Sequence, residues 1–307
     1  MMLKQILPKW FLGLSASAWL LVNTFVCGLL VLLLGIVKLL IPLKFISTAL
    51  HFFYGMWCKG NHIGLRIASD KIQVRLPKEL HAQGWYLLIS NHLSWLDIVV
   101  LSAMEVLPAP KFFLKDELKY IPFIGTGAWA MGMPFMKRAS KAQIAKNPKL
   151  KGMDVERTKS SCRNFRDHPT TVINFVEGTR HTKAKHQRQQ SPFKHLLKPK
   201  AGGVAFALEV LSDQLDGMLN ATLVYELDGE HICRSFMLGR VNTIDIKIDY
   251  IAMADIPLGN YQSDKAYRVQ FQAFMNTVWQ RKDSQLEAHW LRRSAPEDTL
   301  SEEIKQL

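Results

Sequence analysis

The sequence predicts an α/β protein: a mixed, largely parallel sheet flanked by helices, preceded by an N-terminal membrane helix or helical hairpin. Three observations carry that prediction. Twenty-eight consecutive residues, Trp10 to Val37, carry no formal charge. From about residue 62, short aliphatic and aromatic runs alternate with helix-like stretches, the pattern of a sheet with helices packed on it. Polar motifs stand where those runs end, the places where open α/β sheets gather their chemistry. The composition excludes disorder and fibrous repeats: 48% of the 307 residues are hydrophobic, 21% are charged, and the 18 Gly and 13 Pro show no period.

The uncharged N-terminal stretch exceeds the roughly 20 apolar residues that a helix needs to cross a hydrocarbon core. It is also longer than the roughly 7–15-residue core of a secretory signal, and Leu39-Leu40-Ile41-Pro42-Leu43-Lys44 at its end offers no small-residue cleavage site. A retained membrane helix follows. A second apolar run, Phe45 to Trp57, is short for a crossing and suits an interfacial or re-entrant segment, with a core helix of the next domain as the other reading. Lysines flank the first span on both sides (Lys4 and Lys9, then Lys38 and Lys44) and leave orientation open. Three regions are expected: a membrane-embedded segment over 1–60, an α/β domain over 61–262, and an amphipathic helix with a polar tail over 263–307.

Strands are expected at Trp85–Ser90, Lys111–Leu114, Met133–Lys137, Thr171–Val176, Ala221–Leu227 and Arg234–Val241, each bounded by Gly, Pro, Asn or charge. Helices are expected at Trp95–Met104, Ala142–His168, Val204–Leu215 and about 264–290.

Charge is concentrated in one place. Between Lys137 and Lys200 there are 17 Lys and Arg against four Asp and Glu, which accounts for the whole net charge of +13. Such a block meets anions or forms a solvated face, and it favours the cytoplasmic side of a membrane. Cys27, Cys58, Cys162 and Cys233 are scattered without a CxxC pair, so neither a zinc knuckle nor a disulfide framework is indicated. His181, His186 and His195 fall in the basic stretch at irregular spacing, which suits solvated loop histidines better than metal ligands.

Two motifs carry chemistry. Asn91-His92-Leu93-Ser94-Trp95-Leu96-Asp97 joins an apolar strand to a helical run. On one continuous helix His92 and Asp97 would diverge by about 140°; they meet only if His92 stands on the turn before the helix and Asp97 in its first turn. Ser94 as N-cap and the Ser94-x-x-Asp97 capping-box spacing supply that break. Two readings therefore stand: Asp97 caps the helix, or it orients His92 as a general base. A serine hydrolase through Ser94 is disfavoured, since no G-x-S-x-G elbow exists. The second motif, Phe175-Val176-Glu177-Gly178-Thr179-Arg180, places a flexible glycine, a hydroxyl and a guanidinium fork after another strand.

Together the two motifs resemble the glycerolipid acyltransferase family, and more narrowly its 1-acylglycerol-3-phosphate and lysocardiolipin-type members. The segment Lys115-Asp116-Glu117-Leu118, Ile121-Pro122-Phe123-x-Gly125 and Gly132-Met133-Pro134-Phe135-Met136-Lys137-Arg138 fits the family as well, as does Pro199-Lys200-Ala201-Gly202-Gly203. The resemblance covers roughly residues 60–245. It departs at Val176, where the family has proline, and at Leu223-Val224-Tyr225, where it has a Val-Pro pair.

The resemblance implies transfer of a fatty acyl group from an acyl-CoA or acyl carrier protein thioester to the sn-2 hydroxyl of a lysophospholipid, with no metal or prosthetic group. It implies His92 and Asp97 as the catalytic pair, with Arg138, Arg180 and Lys200 on the acceptor phosphate. Glu177, Gly178 and Thr179 would shape the acceptor site. The expected partners are the two substrates, membrane phospholipids and an acyl carrier protein, not nucleic acid. The rival class is a membrane-anchored binder of anionic lipid or nucleic acid without catalysis.

Overall fold

The computed structural model describes residues 4, 6–41, 44–121, 123–133, 135–136, 168–229, 231–261 and 263–294. The expected helix at Ala142–His168 falls almost wholly outside them.

The chain opens with helix α1 (Lys9–Leu40), 32 residues of high apolar content. At about 1.5 Å per residue it is longer than a bilayer's hydrocarbon core. Among the described residues it is the one helix long and apolar enough to cross a membrane. The second apolar run is longer than its hydropathy suggests. Helix α2 runs from Lys44 to Ala68, 25 residues, and packs along α1. Asn23 donates to the Trp57 carbonyl (2.9 Å) and Asn61 Oδ1 (3.1 Å), and Trp19 donates to the Gly60 carbonyl (2.8 Å). Leu50, Tyr54 and Leu65 join the protein core. The run therefore continues past Trp57 because its inward face is buried by α1 and the sheet.

Six strands follow: β1 (Lys71–Arg75), β2 (Tyr86–Ser90), β3 (Pro110–Phe112), β6 (Thr171–Phe175), β7 (Gly217–Leu227) and β8 (Val241–Ala252), in the order β1-β8-β7-β2-β6-β3. A separate parallel pair joins β4 (Leu114–Lys115) and β5 (Phe135–Met136). All neighbours in the main sheet are parallel except β7 and β8, so the sheet is mixed and largely parallel. Between strands lie α3 (Leu96–Ser102), α4 (Ile124–Ala130), α5 (Lys183–Gln189), α6 (Ala201–Leu211) and α7 (Ile232–Met237), with α8 (Lys265–Ser294) after β8.

Strand β2 shows why its sequence is apolar throughout. All five residues are buried, and successive side chains point to opposite faces. Tyr86 and Leu88 enter the core under α1–α4, while Leu87 and Ile89 enter the core under α6 and α8.

One expected strand is a helix. Arg234–Val241 begins inside α7, whose Phe236 packs into the first core, and the strand begins only at Val241. Over so few residues an apolar run does not distinguish the two periods. Gly239, at φ 64°, ends the helix in the left-handed conformation glycine tolerates. The long strand β8, with Ile244, Ile246 and Ile248 facing inward, and the edge strand β1 were both outside the sequence expectation.

Helix α1 meets α7 at Gly13, where a Cβ would press on the Gly239 amide and the Met237 and Phe236 carbonyls. Those are backbone atoms that cannot rotate away. Gly13→Val is expected to cost about 1–3 kcal/mol through overpacking, read as a lower midpoint of thermal unfolding.

Candidate active site

Strands β2 and β6 are neighbours with Ser90 opposite Phe175, so the two motifs emerge side by side from the same edge. The Val176 amide donates to the Ser90 carbonyl (3.3 Å), and the His181 amide to the His92 carbonyl (2.7 Å). Asn91 ties the first loop to β7 by a reciprocal pair: its side chain donates to the Leu223 carbonyl (3.0 Å) and accepts from the Leu223 amide (2.9 Å).

On that frame His92 Nδ1 lies 2.7 Å from Asp97 Oδ2. The same oxygen accepts from the Leu93 amide (2.6 Å) and the Ser94 amide (2.9 Å), and Ser94 Oγ accepts from the Leu96 amide (2.9 Å). The carboxylate reaches back to the Ser94 amide as in a capping box, while the serine hydroxyl takes the Leu96 amide in place of the Asp97 amide. One carboxylate thus both accepts from the amides ahead of α3 and meets the His92 ring. Its other oxygen accepts from the Tyr225 hydroxyl (2.8 Å). Burial, and then the Asp97 charge, push the Tyr225 phenol well above its ordinary range, which keeps it a donor.

Asp97 is fully buried, whereas the His92 side chain is 15% exposed. With Nδ1–H directed at the carboxylate, the lone pair of Nε2 faces outward. The imidazole is also stacked on Phe175, with ring centres 4.0 Å apart and planes at 18°. This contact fixes the ring's remaining rotation.

The second motif divides between surface and interior. Gly178 adopts φ 65°, and the turn it allows turns Arg180 outward over the Trp95 ring, 5.3 Å from its centre. Thr179 Oγ1 accepts from Lys185 Nζ (2.8 Å), which also donates to the Arg180 carbonyl (2.9 Å). Lys200 stands exposed at the start of α6, its amide bonded to the Val176 carbonyl (2.9 Å). Arg138 lies outside the described residues.

Glu177 is fully buried, with neither carboxyl oxygen in a well-aligned hydrogen bond. Its carboxyl group lies in the interior, whereas Arg180 three residues on is exposed. Lys282, equally buried, comes in from α8, donates to the Ala221 carbonyl and lies over the Trp279 ring at 4.6 Å. Residues 223–225 and Lys282 carried no catalytic signature in the sequence. A polar residue on the inward side of α8 was the available signal for Lys282; Tyr225 had none.

An apolar cavity of about 520 Å³ begins beside this site. Its walls include Trp95, Leu96 and Val99 of the loop and α3, Phe112 of β3, and Leu20 and Val31 of α1. Phe112 is stacked on Phe175 at 6.2 Å, so one aromatic ring separates the cavity wall from His92.

The fold and site define a class: a mixed α/β sheet carrying a histidine–carboxylate pair and an exposed guanidinium at adjacent strand ends, with an apolar cavity and a long apolar helix alongside. The family model described as acyltransferase matches residues 71–224, half of the chain. The chain belongs to the acyltransferase family. It is 24% identical over 225 residues to 1-acyl-sn-glycerol-3-phosphate acyltransferase delta of Mus musculus, covering 69% of this chain and 54% of the relative. It is 26% identical over 238 residues to an uncharacterized acyltransferase of Saccharomyces cerevisiae, covering 66% and 58%. The chain spans just over half the length of these curated relatives. Among solved structures, the 1-acyl-sn-glycerophosphate acyltransferase PlsC of Thermotoga maritima superposes with a TM-score of 0.45 at 16% identity, over 86% of this chain and 98% of that one.

The buried pair behind the site gives a pH signature. Burial raises the Glu177 carboxyl from 4.5 to about 8, opposed by Lys282, the Leu197 backbone and Lys200. Between these values the native state holds a proton that the unfolded chain has released, so stability falls as pH rises. Burial lowers Lys282 from 10.5 to about 7. Above that value the unfolded chain holds the extra proton, so this group's effect has the opposite sign. Glu177→Gln is expected to remove the decline between about pH 5 and pH 7, seen as unfolding midpoints flatter with pH than those of the wild type.

Proposed function

We propose that this protein is a membrane-bound 1-acylglycerol-3-phosphate-type acyltransferase. It moves a fatty acyl group from an acyl-CoA or acyl carrier protein thioester to the sn-2 hydroxyl of a lysophospholipid. The observation that carries the reading is the His92–Asp97 pair at 2.7 Å, held beside an exposed Arg180 and an apolar cavity. The similarity to a relative named for 1-acyl-sn-glycerol-3-phosphate supports the acceptor class.

In this mechanism His92 Nε2 accepts the proton of the acceptor hydroxyl as its oxygen attacks the thioester carbonyl. Asp97 holds the Nδ1–H tautomer and balances the imidazolium that forms. Collapse of the tetrahedral adduct breaks the C–S bond, and the imidazolium returns its proton to the departing thiolate. The products are a diacyl phospholipid and a free thiol. A thioester is already activated, so positioning and one base suffice.

Arg180, Lys200 and Arg138 would hold the acceptor phosphate, an anion suited to a guanidinium fork. The cavity volume of about 520 Å³ falls within the range of ligand sites, and its lining is that of a fatty chain's environment. Because α1 forms one wall, a chain in the cavity would be continuous with the membrane interior. In this reading the catalytic domain lies on the cytoplasmic face, where the basic segment would meet anionic headgroups.

His92→Ala is expected to lower acyl transfer to lysophosphatidate by about 10²–10⁴-fold, and transfer at the wild-type rate would remove His92 from the mechanism. Arg180→Ala is expected to raise the acceptor KM by about tenfold or more, the scale of one charge-assisted phosphate contact; an unchanged acceptor KM would refute its contact with the phosphate.

A further inference from the structure

The three histidines scattered through the basic stretch converge. His181, His186 and His195 line one pocket of about 400 Å³ with Lys183 and Lys194. They are not solvated loop histidines. The His181 and His186 rings lie 5.7 Å apart, and His181 Nε2 is buried without a hydrogen-bond partner. His186 Nε2 is engaged at 2.6 Å by the Phe193 carbonyl, and His195 Nε2 at 2.6 Å by Glu287.

Metal binding does not fit, because among the described residues no three His, Cys, Asp or Glu are grouped to hold an ion. The charge balance points to an anion. Glu287, the acid here, is bonded to both Lys194 (2.6 Å) and His195. Among the described residues Lys183 has no ion-pair partner. Lys183 and Lys194 line the pocket with the three imidazoles, which can donate hydrogen bonds, and among the described residues no carboxylate does, Glu287 meeting it only through Lys194 and His195.

The pocket is also distinct from the Arg180 side. Arg180 lies over Trp95, a wall of the apolar cavity, while the next residue, His181, lines this pocket. The same alternation appears in the catalytic loop: Asn91 and Leu93 face the pocket, and Trp95 and Leu96 face the cavity. The His181 amide is bonded to the His92 carbonyl, so the pocket begins one hydrogen bond from the base.

We infer that this pocket is a second anion site, which binds a phosphate ester of a phosphorylated substrate. The inference rests on the acyl-transfer reading, whose two substrates each carry phosphate: the acceptor headgroup and the nucleotide end of a CoA donor. With Arg180 on one substrate, a second cationic site serves the other. Trp290, Ile232 and Leu286 also line the pocket, apolar side chains suited to a purine and of no use to glycerol phosphate. The donor's 3′-phosphorylated adenosine diphosphate is therefore the favoured source.

The test titrates adenosine 3′,5′-bisphosphate, and separately sn-glycerol 3-phosphate, into the full-length protein by calorimetry. The proteins are the wild type, His92→Ala, Arg180→Ala, Lys183→Glu and the double variant His181→Gln/Lys183→Met. Lys183 is exposed, so its reversal leaves the fold intact even if the double variant misfolds. The bisphosphate is expected to bind wild type and His92→Ala alike, and to lose tenfold or more in Kd with Lys183→Glu, with Arg180→Ala within twofold. The same pattern for glycerol phosphate upholds the anion site and assigns it to the acceptor. Binding of both probes unaffected by Lys183→Glu and the double variant, or no binding of either, overturns the proposal. Because binding is read without turnover, loss of acyl transfer as the activity would leave this result standing, and the reverse.

Discussion

Four donors converge on one carboxylate, and the site is built around that convergence. Asp97 accepts from His92 Nδ1, the Leu93 and Ser94 amides and the Tyr225 hydroxyl, all at 2.6–2.9 Å. A fully buried acid is costly unless its oxygens are satisfied, and here every bond runs toward them. The arrangement couples local and long-range structure. The two amides lead into α3, the imidazole is the proposed base, and the phenol belongs to a strand 128 residues away. Capping the helix and holding the imidazole are not alternatives at this position, because the backbone bend that exposes two amides is the same bend that brings His92 round to the carboxylate.

Two further titratable groups lie buried near the first. Glu177 and Lys282 are both fully buried, and Glu177 is close enough to feel the Asp97 charge. Lys282 comes from α8, beyond the region that defines the family at 71–224. The same helix holds the segment leading to Lys200: Asp283 accepts from the Lys194 and His195 amides (both 2.8 Å), Trp279 donates to the Leu197 carbonyl (3.1 Å), and Gln272 donates to the Pro199 carbonyl (3.2 Å). Backbone groups in a loop need partners when buried, and α8 supplies them.

What could be read in the sequence was local. The β2 and β6 runs, the helix after Ser94 and the long helix near the C-terminus announce themselves by apolar period and flanking residues. The proximity of His92 and Asp97 follows from a five-residue spacing and a capping signal. What could not be read depends on contacts distant in the chain. Tyr225 is one residue of an apolar strand until β7 pairs with β2. Glu177 looks like a surface residue of a polar turn until α8 covers it. Helix α7 and the start of β8 are mis-sorted because Phe236 is buried by α1 and β7, not by its own period. The convergence of His181, His186 and His195 belongs to the same class: their irregular spacing becomes one pocket only because α5 and the loop after it fold back onto α8.

The loop from Asn91 to Asp97 also acts as a partition. Residues on one side of it, Trp95 and Leu96, close an apolar cavity that reaches α1, while Asn91 and Leu93 on the other close a cationic pocket. The imidazole stands on this partition, stacked on Phe175, which itself contacts the cavity wall through Phe112. A reaction between a hydrocarbon-bearing molecule and a highly charged one needs such a boundary, since neither environment solvates both. A base fixed on it can act on a hydroxyl presented at the seam, without the apolar chain entering water or the phosphates entering hydrocarbon. The rigidity of the Asp97 constellation suits the proposed role: the boundary is thin, and a histidine free to rotate would lose the direction of Nε2 on which the proposed proton transfer depends.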